Sequence, residues 1–172
     1  MAIKGASAAC GAVTPHLIVR DSREAVEFYK HAFGAVELYS SPLPMGSGMH
    51  FHLRINDTFV MVTDEMPADM IDDHAEENIN SQVVLRSPQT LGGATMLLEL
   101  IVEDVDESYR RAVEAGAVPT LPVSDQFWGD RYGWITDPFG HIWAIATIKE
   151  ELTPEQVNER MMQLMDTTHG CA

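Results

Sequence analysis

A chain of 172 residues with 45% apolar side chains has enough material for one domain or two tightly fused half-domains, and no apolar run reaches bilayer-spanning length. A formal net charge of −15 argues against nucleic acid and anionic membrane surfaces as partners, because phosphate contacts need clustered Lys and Arg. The two cysteines, Cys10 and Cys171, lie near opposite ends and give no disulfide framework, which points to a reducing, cytoplasmic setting. Both are too terminal to serve as nucleophiles.

Residues 1–12 carry one Lys and small side chains without a long apolar stretch, and read as a flexible arm rather than a signal peptide. Residues 13–63 form a first module. Val13 to Val19 alternates around Pro15 and predicts a strand, with Thr14, His16 and Ile18 on one face and Leu17 and Val19 on the other. Asp21 with Glu24 three residues on predicts a capped helix whose apolar stripe is Ala25, Phe28, Tyr29, Ala32 and Phe33 and whose stop is Gly34. Strands follow over 35–41, 48–55 and 58–63, the last two joined by the turn signal Asn56-Asp57.

Residues 64–93 are a long connection punctuated by Pro67, Pro88 and Gly92-Gly93, a length that in a compact domain marks a functional or mobile loop. Between Asp64 and Glu77 it holds seven acidic residues and no Lys or Arg, the pattern of a solvated loop; the lack of a glycine argues against a calcium loop. Residues 94–148 form a second module. Met96 to Val102 predicts an apolar strand broken only by Glu99, Asp104 with Glu107 caps a helix ending at Gly116, and strands follow near 117–123, 131–136 and 141–148. Asp137-Pro138-Phe139-Gly140 suits a type I turn between the last two. In residues 149–172, Thr153-Pro154-Glu155-Gln156 opens a final helix with Val157, Met161, Leu164 and Met165 on its apolar side.

The signature from Val19 to Glu24, leading to Gly34-Ala35-Val36, recurs from Val102 to Glu107, leading to Gly116-Ala117-Val118, at an offset of 83 residues from Asp21 to Asp104. The order is β-α-β-β-β twice plus a C-terminal helix. This is an α+β arrangement in which each helix covers one face of its own mixed sheet and the other faces meet around a cleft.

The segments Thr14-Pro-His-Leu-Ile-Val-Arg-Asp21, Phe28-Tyr-Lys-His-Ala-Phe-Gly34, Val102-Glu-Asp-Val-Asp106 and Gly129-Asp-Arg-Tyr-Gly133, running to Asp137-Pro-Phe-Gly-His141, resemble the vicinal oxygen chelate superfamily: glyoxalase I, bleomycin-resistance proteins, fosfomycin-resistance enzymes and extradiol dioxygenases. Arg86-Ser-Pro-Gln-Thr-Leu-Gly-Gly93 and the stretch from Asp125 to Gly133 look like its PhnB-like branch. The resemblance runs from about residue 13 to 165. It is specific for the fold and weak for the reaction, because one fold hosts many chemistries. Metal enzymes of the superfamily use His, Gln or Glu at inward-facing strand positions. Carried over, these positions fall at Thr14, at Thr95 or Leu97, and at Ala144. None of these is a credible ligand for a divalent metal. The expectation is no cofactor at the family positions, with a divalent metal at a non-standard site as the alternative.

The remaining candidates for chemistry are His16, on the same strand face as Thr14, and Glu99, on the same face as Leu97. They are candidate catalytic residues, as an acid–base pair or as part of a displaced metal site with His50 or His52; the bland reading is a polar side chain satisfied by a neighbour or water. His50, His52 and Arg54 share a strand face, which either binds a ligand or is simply solvated. Phe127-Trp128-Gly129-Asp130-Arg131-Tyr132-Gly133 reads as a wall over the cleft, with Trp128 or Tyr132 stacking on a planar ligand and Arg131 pairing with an anion, or as a strand-edge loop with Arg131 bridging to Asp130 or Asp125. His141 reads as structural. The functional expectation is a homodimeric protein binding a small hydrophobic or aromatic molecule in the inter-module cleft; the alternative is a lyase, isomerase or dioxygenase working through His16 and Glu99 or a relocated metal.

Overall fold

A computed structural model of the protein describes residues 13–43, 48–66 and 85–169. Cys10, Cys171 and the acidic stretch from residue 67 onward lie outside the described residues, as does the arm over residues 1–12. The elements run β1 (His16–Val19), α1 (Ser22–Phe33), β2 (Val36–Pro42), β3 (Met49–Ile55), β4 (Thr58–Asp64), α2 (Pro88–Leu91), β5 (Leu97–Ile101), α3 (Val105–Glu114), β6 (Val118–Asp125), β7 (Asp130–Thr136), β8 (Ile142–Ile148) and α4 (Pro154–His169). No helix among the described residues is long and apolar enough to cross a membrane.

Local chemistry sets the boundaries. Asp21 accepts the Glu24 amide and Asp104 accepts the Glu107 amide, each at 3.0 Å, which satisfies a donor that the first helical turn leaves free. Gly34 ends α1 in the left-handed region, with φ 66°. β1 starts at His16, later than the alternation predicts, because Pro15 has no N–H and joins the ladder only as acceptor for Met61 N. Within the long connection, Ser87 caps the single turn α2, with Pro88 in the first helical position; the density of Pro and Gly hides this turn in the sequence. Asp64 and Glu65, read from sequence as part of a solvated run, are instead structural acceptors. Asp64 takes the Ser22 and Met49 amides at 2.6 Å, and Glu65 takes the Ser87 amide and the Thr90 hydroxyl at 2.8 Å.

The strands form two four-stranded sheets in the orders β1-β4-β3-β2 and β5-β8-β7-β6, parallel only at β1/β4 and β5/β8. The offset of 83 residues holds in the register: it carries the partners His16↔Met61 onto Glu99↔Ala144. The two modules are therefore the same strand pairing built twice.

Each helix covers one face of its own sheet. Under α1 lie Leu17, Val19, Phe51, Leu53, Val60 and Val62; under α3 lie Leu100, Ile135 and Ile145. A fully buried aliphatic side chain of this kind contributes about 1.5–3 kcal/mol. The helices also pack on each other, and Phe33 of α1 reaches across to Trp143 of β8, with ring centroids 4.7 Å apart.

The modules meet edge to edge. The Asn56 amide, in the β3–β4 turn, donates to Ile101 O on the outer edge of β5 at 3.0 Å. Reciprocally, the His141 imidazole, just before β8, bonds to Ile18 O on the outer edge of β1 at 3.1 Å. Beneath this seam sits the buried Asp137 carboxylate. It accepts the Tyr29 hydroxyl at 2.7 Å, the Trp143 indole N–H at 3.0 Å and the Phe139 and His141 amides at 2.9 Å. Burial, and then the charge of Asp137, push the Tyr29 hydroxyl well above its ordinary pKa, so it stays a donor. With both helices side by side on one side of the seam, the uncovered faces of the two sheets turn to the other.

Candidate functional site

The alternation of the strands decides what each uncovered face presents. On the first sheet, Leu17 and Val19 are buried under α1, so His16 and Ile18 face away from it; register then places Met61 and Thr63 of β4, His50, His52 and Arg54 of β3, and Tyr39 of β2 on the same side. On the second sheet the uncovered side carries Leu97, Glu99 and Ile101 of β5, Ala144 and Ala146 of β8, and Tyr132 and Trp134 of β7.

On the histidine face, three of the sequence candidates come together. His16 Nε2 lies 2.5 Å from Thr63 Oγ1, and His50 Nδ1 lies 2.6 Å from the same oxygen. His52 Nε2 lies 2.8 Å from His50 Nε2, and the Tyr39 ring stands edge-on to His52 at 5.6 Å. Burial, then the charge of His52, hold the His16 pKa below its ordinary value; burial, then His52 and His16, do the same for His50. His16 and His50 are thereby held toward the neutral imidazole, both bonded to one hydroxyl. Thr63 was not a sequence candidate. Its signal was the alternation Met61-x-Thr63, which puts a hydroxyl on the side of the histidines.

The second face is built differently. Trp128, at the β6–β7 loop, donates its indole N–H to Asp130 at 2.9 Å and stands edge-on to Tyr132 at 5.5 Å, which in turn stands edge-on to Trp134 at 6.3 Å. Ala144 and Ala146 form a fully buried floor between these rings and β5. Trp134 Nε1 is buried with no hydrogen-bond partner among the described residues, an uncompensated donor of a kind that folded proteins seldom leave. Trp134 was also missed from sequence. It repeats the aromatic position of Tyr132 two residues on, the period of one strand face.

Glu99 is exposed on this face beside Ala144, its partner across β5/β8, and no hydrogen bond or ion pair joins it to His16 among the described residues. A crevice of about 1170 Å³ at the module edge is lined by Glu99 with Pro15, Arg54, Arg111 and Trp143, and by none of the three histidines. Arg131 is not on the aromatic face. Its neighbours in register alternate it to the α3 side, where it holds Asp106 at 2.7 Å and Asp125 at 3.0 Å, so that Asp125 and not Asp130 is its bridging partner on the strand loop. His141 is engaged with Ile18 O and is structural.

Metal chemistry of the family type does not fit these side chains. The three positions carry a hydroxyl at Thr14, an isobutyl group at Leu97 and, at Ala144, a methyl group with 0% exposure. Among the described residues no three His, Cys, Asp or Glu side chains are grouped to hold an ion. His16 and His50 spend their facing nitrogens on Thr63.

Comparisons with known proteins agree with this frame. The family model of the Glyoxalase/Bleomycin resistance protein/Dioxygenase superfamily matches residues 11–145. An uncharacterized protein of Mycobacterium bovis is 39% identical over 150 residues, covering 87% of this chain and 91% of its own. The solved structure of a gene product from Arabidopsis thaliana superposes with TM-score 0.57 at 26% identity, covering 79% of this chain and 98% of that one. The fosfomycin resistance protein FosX from Listeria monocytogenes, solved with Mn(II) and sulfate ion, superposes with TM-score 0.57 at 19% identity over 85% of this chain and 95% of that one, a likeness of fold. The chain belongs to the glyoxalase/bleomycin resistance protein/dioxygenase superfamily.

Proposed function

We propose that the protein binds a small planar aromatic or hydrophobic molecule against its uncovered sheet faces, without the metal that family enzymes hold between them. The observation that supports this reading is the aromatic row Trp128, Tyr132 and Trp134 over an alanine floor, with the Trp134 N–H lacking an acceptor among the described residues. Rings on such a floor offer stacking area, and a ligand oxygen or nitrogen at Trp134 would satisfy the free donor. The alanines matter as much as the rings: the residue beside Glu99 that would be an acid in a metal enzyme is here a methyl group.

The direct test is quenching of tryptophan fluorescence by 4-nitroanisole and 4-nitrophenol, with metal content measured on the same protein. The reading expects saturable quenching, at least tenfold weaker in Trp134→Phe, and no stoichiometric divalent metal. Absence of quenching by either compound, or one equivalent of tightly held metal, overturns it. The protein is further proposed to be a homodimer, the commonest symmetric assembly; a sedimentation velocity experiment showing only 19.1 kDa particles would refute that.

A second reading is a lyase, isomerase or dioxygenase-type enzyme in which His16 and Glu99 exchange a proton with the substrate. It is favoured by the position of both side chains on uncovered faces and by the hydrogen bond that orients His16.

A further inference from the structure

We propose that His16, Thr63, His50 and His52 form a one-proton relay that withdraws the proton from a weakly acidic O–H or N–H of a small organic ligand at His16 and releases it to solvent at His52. The ligand half rests on the binding reading above. The relay half rests on three contacts in series along one sheet face, at 2.5, 2.6 and 2.8 Å, crossing three strands.

Each contact needs one proton, and with the Thr63 hydroxyl donating to one imidazole and accepting from the other the chain runs in one of two ways; a third arrangement, in which Thr63 accepts from both His16 and His50, breaks the relay and leaves those two rings as unlike tautomers. In the first, His52 Nε2–H donates to His50 Nε2, His50 Nδ1–H donates to Thr63 Oγ1, and the Thr63 hydroxyl donates to His16 Nε2. In the second, every donor and acceptor is reversed: His16 Nε2–H donates to Thr63, Thr63 to His50 Nδ1, and His50 Nε2–H to His52 Nε2. The second leaves a lone pair on His16 Nδ1.

A ligand X–H bond breaks as its proton joins that nitrogen. The proton on His16 Nε2 then moves to Thr63 Oγ1, the Thr63 proton to His50 Nδ1, and the His50 Nε2 proton to His52 Nε2. His52 now carries both ring protons and releases the Nδ1 proton to water. One proton has entered and one has left, no electrons have been exchanged, and the chain stands in the first arrangement. Passage in the opposite direction resets it.

The surroundings suit such a chain. Tyr39, Ser41 and Arg54 flank it on the uncovered face, and no carboxylate among the described residues bonds to any of the three imidazoles. Among the described residues no fixed negative charge therefore pins the proton at one station. Burial, then the charge of His52, disfavours a resident charge on His16, and burial, then His52 and His16, disfavours one on His50.

The two arrangements share a fingerprint. His16 and His50 must be the same tautomer and His52 the opposite one. Ring ¹⁵N NMR of the ligand-free protein reads this directly. The relay expects His16 and His50 to match, and Thr63→Val to destroy the match while Thr63→Ser keeps it. Because valine is close in shape to threonine and serine retains the hydroxyl, loss of fold in the first variant leaves the second decisive, with the wild type. Unlike tautomers at His16 and His50 in the wild type, or a Thr63→Val spectrum with both rings unchanged, overturn the relay.

The ligand half is read with 4-nitrophenol, whose anion absorbs separately from the neutral form, against 4-nitroanisole, which has no proton to give. Bound nitrophenol is expected as the anion one pH unit below its solution pKa, with the anion fraction falling about tenfold in Thr63→Val while 4-nitroanisole binds both proteins alike. Nitrophenol bound as the neutral phenol overturns the proton withdrawal. Failure of both compounds to bind overturns the binding reading and the ligand half with it; the NMR result still decides the relay.

Discussion

The two modules share strand order, the parallel β1/β4 and β5/β8 pairing and helix N-caps, yet their uncovered faces carry different side chains. The first presents imidazoles joined through a hydroxyl; the second presents aromatic rings over two alanines. The register makes the comparison residue by residue, since His16 on Met61 and Glu99 on Ala144 occupy the same place in the two frames. The difference teaches that the buried side of each strand holds the repeated frame, whereas the other side was free to take on separate tasks. One face carries a row of aromatic rings, the other imidazoles hydrogen-bonded in series.

The common frame should break first at Asp137. Asp137→Ala strands four buried donors, each worth about 1–3 kcal/mol when unpaired, so a loss of about 4 kcal/mol or more is expected, read as collapse of the thermal transition. A calorimetric melt within a few degrees of wild type would show that the seam does not depend on it. Next come the matched core positions Val62 and Ile145, each paired with a leucine of the neighbouring strand. Val62→Ala and Ile145→Ala should each cost about 2–4 kcal/mol in denaturant unfolding, with ligand quenching retained by whatever protein stays folded. If one substitution were silent, the two frames would not be equivalent.

The caps sharpen the same comparison at a smaller scale. Asp21→Ala and Asp104→Ala remove one 3.0 Å acceptor each from like positions and should cost about 1 kcal/mol apiece, equal within error. Unequal losses would place one helix under more strain than its mate.

The smallest effect is the response to acid. His16 and His50 have folded pKa values lowered mainly by burial, so the unfolded chain binds protons first as pH falls below about 6.5. Stability from these groups is complete above that pH and declines below it. Among the described residues the second face has no histidine; His141, whose pKa burial also lowers, lies off that face at the seam, bonded to β1. Hydrogen exchange between pH 7 and 5.5, corrected for intrinsic rates, should therefore loosen β1 and β3 more than β5 and β7; the reverse order would contradict the assignment.

What could be read in advance follows from the range of the interactions. The caps at Asp21 and Asp104, the Asn56-Asp57 turn and the Thr153–Gln156 box are satisfied within a few residues, so composition and spacing reveal them. The repeat exposed the doubled frame for the same reason. Thr63 and Trp134 stayed hidden because their roles depend on register: Thr63 meets His16 across 47 positions of chain, and Trp134 stands out only for an indole N–H with no acceptor among the described residues. Asp137 was legible as a turn residue, while its contact with Tyr29, 108 positions away, was not. Arg131 reads from sequence either as an anion partner over the cleft or as a bridge to Asp130 or Asp125; strand parity turns it to the α3 side, where it holds Asp106 and Asp125.

The outermost strands of the two sheets have a consequence for self-association. β2 ends in Pro42 and shifts register between Glu37 and Tyr39, and β6 carries Pro119 and Pro122 with irregular pairing on either side of Leu121. Proline withholds a donor and a bulge twists the ladder, so neither rim offers a straight template for another strand. Growth of the sheets into a continuous ribbon of many copies is blocked at both ends by the backbone itself, whatever the rims' side chains would prefer.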